Sequence, residues 1–69
     1  MKTGKVLWFN EVKGYGFIAQ DDKSEDIFVH FRSLSILNDK RIELQKDQRV
    51  SYEVADGIKG LHAINVALI

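Results

Sequence analysis

An all-β barrel of five short strands is the architecture this sequence predicts, and three observations point to it. The apolar runs are short and rich in β-branched and aromatic residues, and polar or glycine-bearing stretches separate them. The chain has 69 residues with no cysteine and no proline, so neither disulfides nor a thiolate zinc site can supplement its core. At this length only about 60% of the unfolded surface can be buried, and a closed barrel makes a core from few residues while removing exposed sheet edges. An open meander leaves edges, and a two-helix sandwich needs apolar stripes that the chain lacks. Residues 1–69 are expected to form one domain.

The elements follow in order. Residues 5–10 form the first strand, and Glu11-Val12-Lys13-Gly14 is long enough for a hairpin loop. Tyr15-Gly16-Phe17-Ile18 is the second strand, and Ile27-Phe28-Val29-His30-Phe31 is the third, after a polar segment at 20–26. Residues 49–54 alternate, with Val50, Tyr52 and Val54 on one face. Asp56-Gly57 is a hairpin dipeptide, and Ile58-Lys59-Gly60 extends the turn. The last strand, 62–69, alternates with Ile64, Val66 and Leu68 opposite Ala63, Asn65 and Ala67. All five strands are expected to pair antiparallel. Residues 33–48 have good helix formers but no apolar stripe, so they read as a long, mobile connection between strands three and four. One helical turn is expected near residues 33–37.

Only one face of each strand can point into a narrow barrel. Val6, Ile18, Ile27, Val29, Val50, Tyr52, Val54, Ile64 and Val66 make the expected core. The opposite face then carries Tyr15, Phe17, Phe28 and His30, joined by Trp8 or Phe9 from the first strand. Phe31, at a strand end, fits either side. Such an aromatic face on a domain with no second layer requires an explanation. One reading makes the rings the core of a sandwich, but the chain lacks residues for a second layer. Another makes the patch a protein-interaction or self-association surface. Unpaired nucleobases fit best, because every base has a π-face and stacking tolerates sequence variation. The formal charge is zero. Residues 1–20 nevertheless carry Lys2, Lys5 and Lys13 against Glu11 alone, so the platform side is mildly positive.

Three segments carry a family resemblance: Gly4-Lys5-Val6-Leu7-Trp8-Phe9-Asn10, Lys13-Gly14-Tyr15-Gly16-Phe17-Ile18 and Asp26-Ile27-Phe28-Val29-His30-Phe31. Together they resemble the signature of the bacterial cold-shock proteins, the second and third being similar to that family's two RNA-binding motifs. Val50-Ser51-Tyr52-Glu53-Val54 and Ala63-Ile64-Asn65-Val66 match as well. RRM domains carry a stretch like Lys-Gly-Tyr-Gly-Phe, but they need two amphipathic helices. The resemblance implies an OB-type barrel that binds single-stranded RNA and single-stranded DNA with little sequence preference and acts as an RNA chaperone. It implies stacking on Trp8, Tyr15, Phe17, Phe28, His30 and Phe31; Phe9 and Lys5, from the strand pattern itself, are the further candidates beside them. Lys13 and Lys59 would meet phosphates, and Asp26 would accept a hydrogen bond from a base amine. Some residues depart from the pattern. Leu7 stands where the family usually has a lysine, and Leu61 where a proline is common. In the long connection Arg41 sits near the place of an aromatic, where its guanidinium can still stack.

Other functions are excluded or expected to be absent. The longest apolar run is four residues, far below the ~20 that span a bilayer, and no signal peptide is readable, so a cytoplasmic protein with no membrane partner is expected. His30 and Asp26 lie four apart on an extended segment, roughly 13 Å between backbone positions, too far for a general-base pair. No enzyme activity, metal or cofactor is expected, and a monomer is expected rather than a dimer.

Overall fold

The computed structural model describes residues 1–58 and 60–69; Lys59 lies outside the described residues. Among the described residues seven strands and one 3-10 turn follow in the order β1 (Lys2–Asn10), β2 (Tyr15–Gln20), β3 (Ile27–His30), the turn (Phe31–Ser33), β4 (Ile36–Leu37), β5 (Lys40–Arg41), β6 (Arg49–Gly57) and β7 (Gly60–Leu68). The five long strands close a barrel in the order β1-β2-β3-β7-β6, and β4 and β5 form a separate small hairpin. This is the predicted five-stranded barrel, with one pairing of the other sense. β3 and β7 run parallel, with Phe28 beside His62 and Val29 beside Ala63. Parity requires it: an odd number of strands around a ring cannot alternate in direction throughout, so one neighbouring pair must be parallel.

The buried core is Val6, Ile18, Ile27, Val29, Leu34, Leu44, Val50, Tyr52, Ala63 and Val66. Most of it is the predicted aliphatic face, and fully burying such side chains contributes about 1.5–3 kcal/mol each. Two predicted members sit elsewhere. Val54 is only partly buried against the cluster. Ile64 is half-buried, and Ala63 takes the inward position instead. For Ile64 the cause is a bulge. Ser51 pairs with Ala67 and Glu53 with Ile64, so Tyr52 alone faces both Asn65 and Val66. Asn65 takes φ 52°, the left-handed conformation that asparagine adopts more readily than most residues. One extra residue inverts the alternation beyond it.

A second bulge shapes β1. Val6 pairs with Ile18 but Trp8 pairs with Phe17, leaving Leu7 as the extra residue. Without it Trp8 would share the face of Val6 and point into the barrel. With it Val6 points in, Trp8 points out beside Phe17, and Phe9 turns in against the core.

The connection 31–48 corrects the expectation of an open loop. The helical turn is a 3-10 turn at Phe31–Ser33, earlier than predicted, and a hairpin follows it. Leu34 and Leu44 are 6% and 3% exposed and plug the barrel. Ser35 N–H donates to the Val66 carbonyl at 2.8 Å, and Ile42 N–H donates to the Ser35 carbonyl at 2.9 Å. Asn38 and Asp39, at φ 55° and 65°, supply the left-handed pair that a tight two-residue hairpin turn demands. Helix formers thus occupy a non-helical segment because two spaced leucines gain more from the core than one amphipathic turn could.

Candidate nucleic-acid interface

The outward faces of β1, β2 and β3 meet in one array of rings. Trp8 lies 5.6 Å from Tyr15 and 5.6 Å from Phe17, centroid to centroid. Phe28 lies 5.8 Å from each of Tyr15 and Phe17, nearly parallel to the former and edge-on to the latter. The β2–β3 register produces this by setting Phe17 opposite Phe28 and Tyr15 opposite His30. Neighbouring rings at these distances attract one another by about 0.5–1.5 kcal/mol per pair beyond their burial, so the array is held without a covering layer. Trp8 is the most open, at 43% exposed.

Two glycines make the array possible. Gly16 pairs with Phe9, and a Cβ there would overlap the Trp8 carbonyl oxygen, so β1 and β2 can approach only because it has none. Gly14 has φ 76°, and a Cβ there would lie 2.7 Å from Phe31 Cδ1. Its carbonyl accepts from Phe31 N–H at 2.8 Å, which ties the β1–β2 turn to the start of the 3-10 turn. Asn10 shapes that turn: its Oδ1 accepts from the N–H groups of Val12 and Lys13, each at 3.0 Å. Lys13 is left exposed at the edge of the array.

At the same end His30 and Phe31 sit 4.7 Å apart. His30 Nδ1 accepts from Arg32 N–H at 3.2 Å, which caps the 3-10 turn and orients the imidazole. Two guanidiniums flank Phe31: Arg41 at 5.5 Å and Arg32 at 5.9 Å from the ring centroid.

Trp8, Tyr15, Phe17 and Phe28 are therefore brought together as one surface, and His30, Phe31 and Arg41 as its continuation. Phe9 is separated from them by its inward turn. Lys5 is exposed on β1, opposite Ala19. Asp26 is exposed in the β2–β3 connection and lines a groove of about 1010 Å³ with Phe17, Phe28, His30, Leu61 and His62.

Sequence reasoning passed over two residues. Arg32 was legible as the neighbour of a candidate ring. His62 was not, because only the parallel β3–β7 ladder sets it beside Phe28.

Two ion pairs join the β2–β3 connection to β1 and β6. Lys2 pairs with Asp22 at 2.7 Å, and both side chains are about half-exposed. Arg49 donates to both oxygens of Asp21, at 2.6 and 2.5 Å. Arg49, with the Thr3 hydroxyl, holds the Asp21 carboxyl down to about 2. The Lys2 ammonium, and then Ser24, lower that of Asp22. Arg49 is raised in turn, chiefly by its bonds to Asp21. Burial, and then the charges of Asp22 and Asp21, push the Tyr52 phenol up to about 12. Among the described residues no group of three or more His, Asp or Glu side chains is placed to hold a metal ion. Among the described residues no helix is long and apolar enough to cross a membrane.

Residues 2–69 match the family model of the 'Cold-shock' DNA-binding domain. Cold shock-like protein CspG of Shewanella violacea is 52% identical over 67 residues, 97% of this chain and 93% of that protein. The major cold shock protein of Micrococcus luteus is 53% identical over 66 residues, 96% of each chain. Cold shock-like protein CspE of Escherichia coli is 48% identical over 63 residues, 91% of this chain and 88% of that one. Among solved structures, drosophila Unr CSD456 superposes with a TM-score of 0.78 over 99% of this chain and 26% of that chain; at 20% identity this is a likeness of fold. The match over almost the whole length, at about half identity to bacterial cold shock proteins, places this chain in the cold-shock domain family.

Proposed function

We propose that this cold-shock domain binds single-stranded RNA and single-stranded DNA by stacking unpaired bases on Trp8, Tyr15, Phe17 and Phe28, with His30 and Phe31 extending the surface. The observation that carries the reading is the uncovered ring array on three adjacent strands. Ring faces accept any base, so sequence preference over most of the strand is low. Lys5 and Lys13 supply the phosphate contacts at its edges, and Asp26 accepts from a base amine in the adjoining groove. Holding bases by their faces keeps RNA from pairing with itself, and this is the action of an RNA chaperone in transcription or translation. The domain acts in this reading as a cytoplasmic monomer.

The test is a fluorescence titration of Trp8 with oligo-U and oligo-dT. Binding quenches Trp8, and Phe28→Ala weakens it by about 1–3 kcal/mol, the worth of one stacked base. With few phosphates engaged, log K falls with log salt by only about 0.7 per phosphate. No quenching at tens of micromolar oligonucleotide and low salt refutes the reading. So does a stable dimer that occludes Trp8 whether or not oligonucleotide is present.

A further inference from the structure

The ring array is chemically uniform except at one end. Trp8, Tyr15, Phe17 and Phe28 offer faces, which every base can cover. Around Phe31 the surface changes, because Arg32 and Arg41 bring two guanidiniums to within 6 Å of one ring. Both side chains are exposed. Among the described residues, neither guanidinium forms an ion pair or donates a side-chain hydrogen bond. Their donors are therefore available to a ligand.

Arg41 is also held in place. It lies on β5, opposite Ile36 in a hairpin turned by Asn38 and Asp39. The next residue, Ile42, is tied by its N–H to Ser35, and Leu44 is buried beyond it. Arg32 is placed by the 3-10 turn that His30 caps. The guanidinium is a planar fork of N–H donors that never loses its charge. Guanine is the base whose O6 and N7 put two acceptors side by side on one edge, and arginine pairs with them bidentately. In a single strand that edge is open while the base stacks on a ring.

Resting on the stacking reading above, we infer that the Phe31 end of the interface is a guanine-selective subsite, in which the base stacks against Phe31 while Arg41, assisted by Arg32, donates to its O6 and N7. The rest of the array remains indifferent to base identity. The protein is thereby a general single-strand binder with one discriminating position.

The experiment uses heptamers of U carrying one G, A or C walked through every position, titrated against Trp8 fluorescence. One G position binds about fivefold or more tighter than U, A or C at the same position, the low end for a bidentate contact. Arg41→Lys and the double variant Arg41→Lys/Arg32→Lys keep the charge but lose the fork. They abolish the G preference, read within each variant as the ratio of its affinities for the G and U heptamers at that position, since each wrong-base cost is local to its position.

Two results overturn the subsite while leaving the stacking reading intact. One is the absence of G preference at every position. The other is an equal loss for all heptamers in Arg41→Ala, with the salt slope reduced by about one, which identifies a phosphate contact instead. Failure of oligo-U to quench the wild-type protein overturns the stacking reading and the subsite with it.

Discussion

Gly16→Ala adds one methyl group between β1 and β2 and is expected to cost a large share of the fold's stability. The added Cβ would overlap the Trp8 carbonyl oxygen, lie 2.8 Å from Phe9 Cα and 2.9 Å from Phe9 Cδ2. Only the last of these can swing away. The other two are backbone, so the strands themselves must separate. Overpacking of this kind costs typically about 1–3 kcal/mol, and backbone obstruction places it at the upper end. A 69-residue domain has only about 3–10 kcal/mol in total. At roughly 4–8 °C per kcal/mol, the melting temperature should fall by about 10–25 °C. Urea titration followed by far-UV circular dichroism reads it as a lower midpoint at unchanged slope. Adding Phe9→Leu should not rescue the variant, because the backbone overlaps persist. Oligo-U affinity should fall too, since the same separation moves Trp8 away from Phe17, now at 5.6 Å. A variant within about 0.5 kcal/mol of wild type, the usual range for a harmless surface change, would refute the reasoning.

Other perturbations test the charges and the connection. The Asp21 and Asp22 carboxyls are lowered in the folded state, to about 2 for Asp21. Their support is therefore complete above the unfolded value of about 3.9 and is lost as pH falls from 4 toward 2. Both pairs are half-exposed, so added salt should blunt the effect. Melting at pH 5 and pH 2.5 checks it, and an equal drop in wild type and Arg49→Ala would count against the Asp21 pair. Tyr52 is raised to about 12, so its contribution is complete below pH 10 and is lost as pH rises from 10 toward 12. In an absorbance titration Tyr52→Phe should remove the late phenolate step. It should also cost about 1 kcal/mol for the lost bond to Gln20 Oε1. Leu44→Ala, at a position 3% exposed, should cost about 2–5 kcal/mol. A cost below about 1 kcal/mol would return residues 33–48 to the status of an unanchored loop.

Much of this was readable from residue order. Alternation along 15–18 and 27–31 is enough to separate Ile18, Ile27 and Val29 from Phe17 and Phe28, since successive side chains leave a strand on opposite sides. The aromatic composition of the outer face, and hence a ligand with flat faces, came from the same counting. Counting by twos fails wherever a strand carries an extra residue. The bulge at Leu7 sends Trp8 out and Phe9 in, a choice that alternation alone left open, and the one at Asn65 exchanges Ile64 for Ala63. A bulge is set by the partner strand's register, which no local pattern carries.

Local chemistry therefore determined the strands, most of the core and the kind of surface the chain presents. Closure of the barrel decided the rest. It made β3 and β7 parallel, brought His62 to Phe28, and drew Leu34 and Leu44 into the core. The physical reason is range. Alternation and turn preference act between residues a few positions apart, whereas these contacts join residues that meet only after the ring of strands has closed.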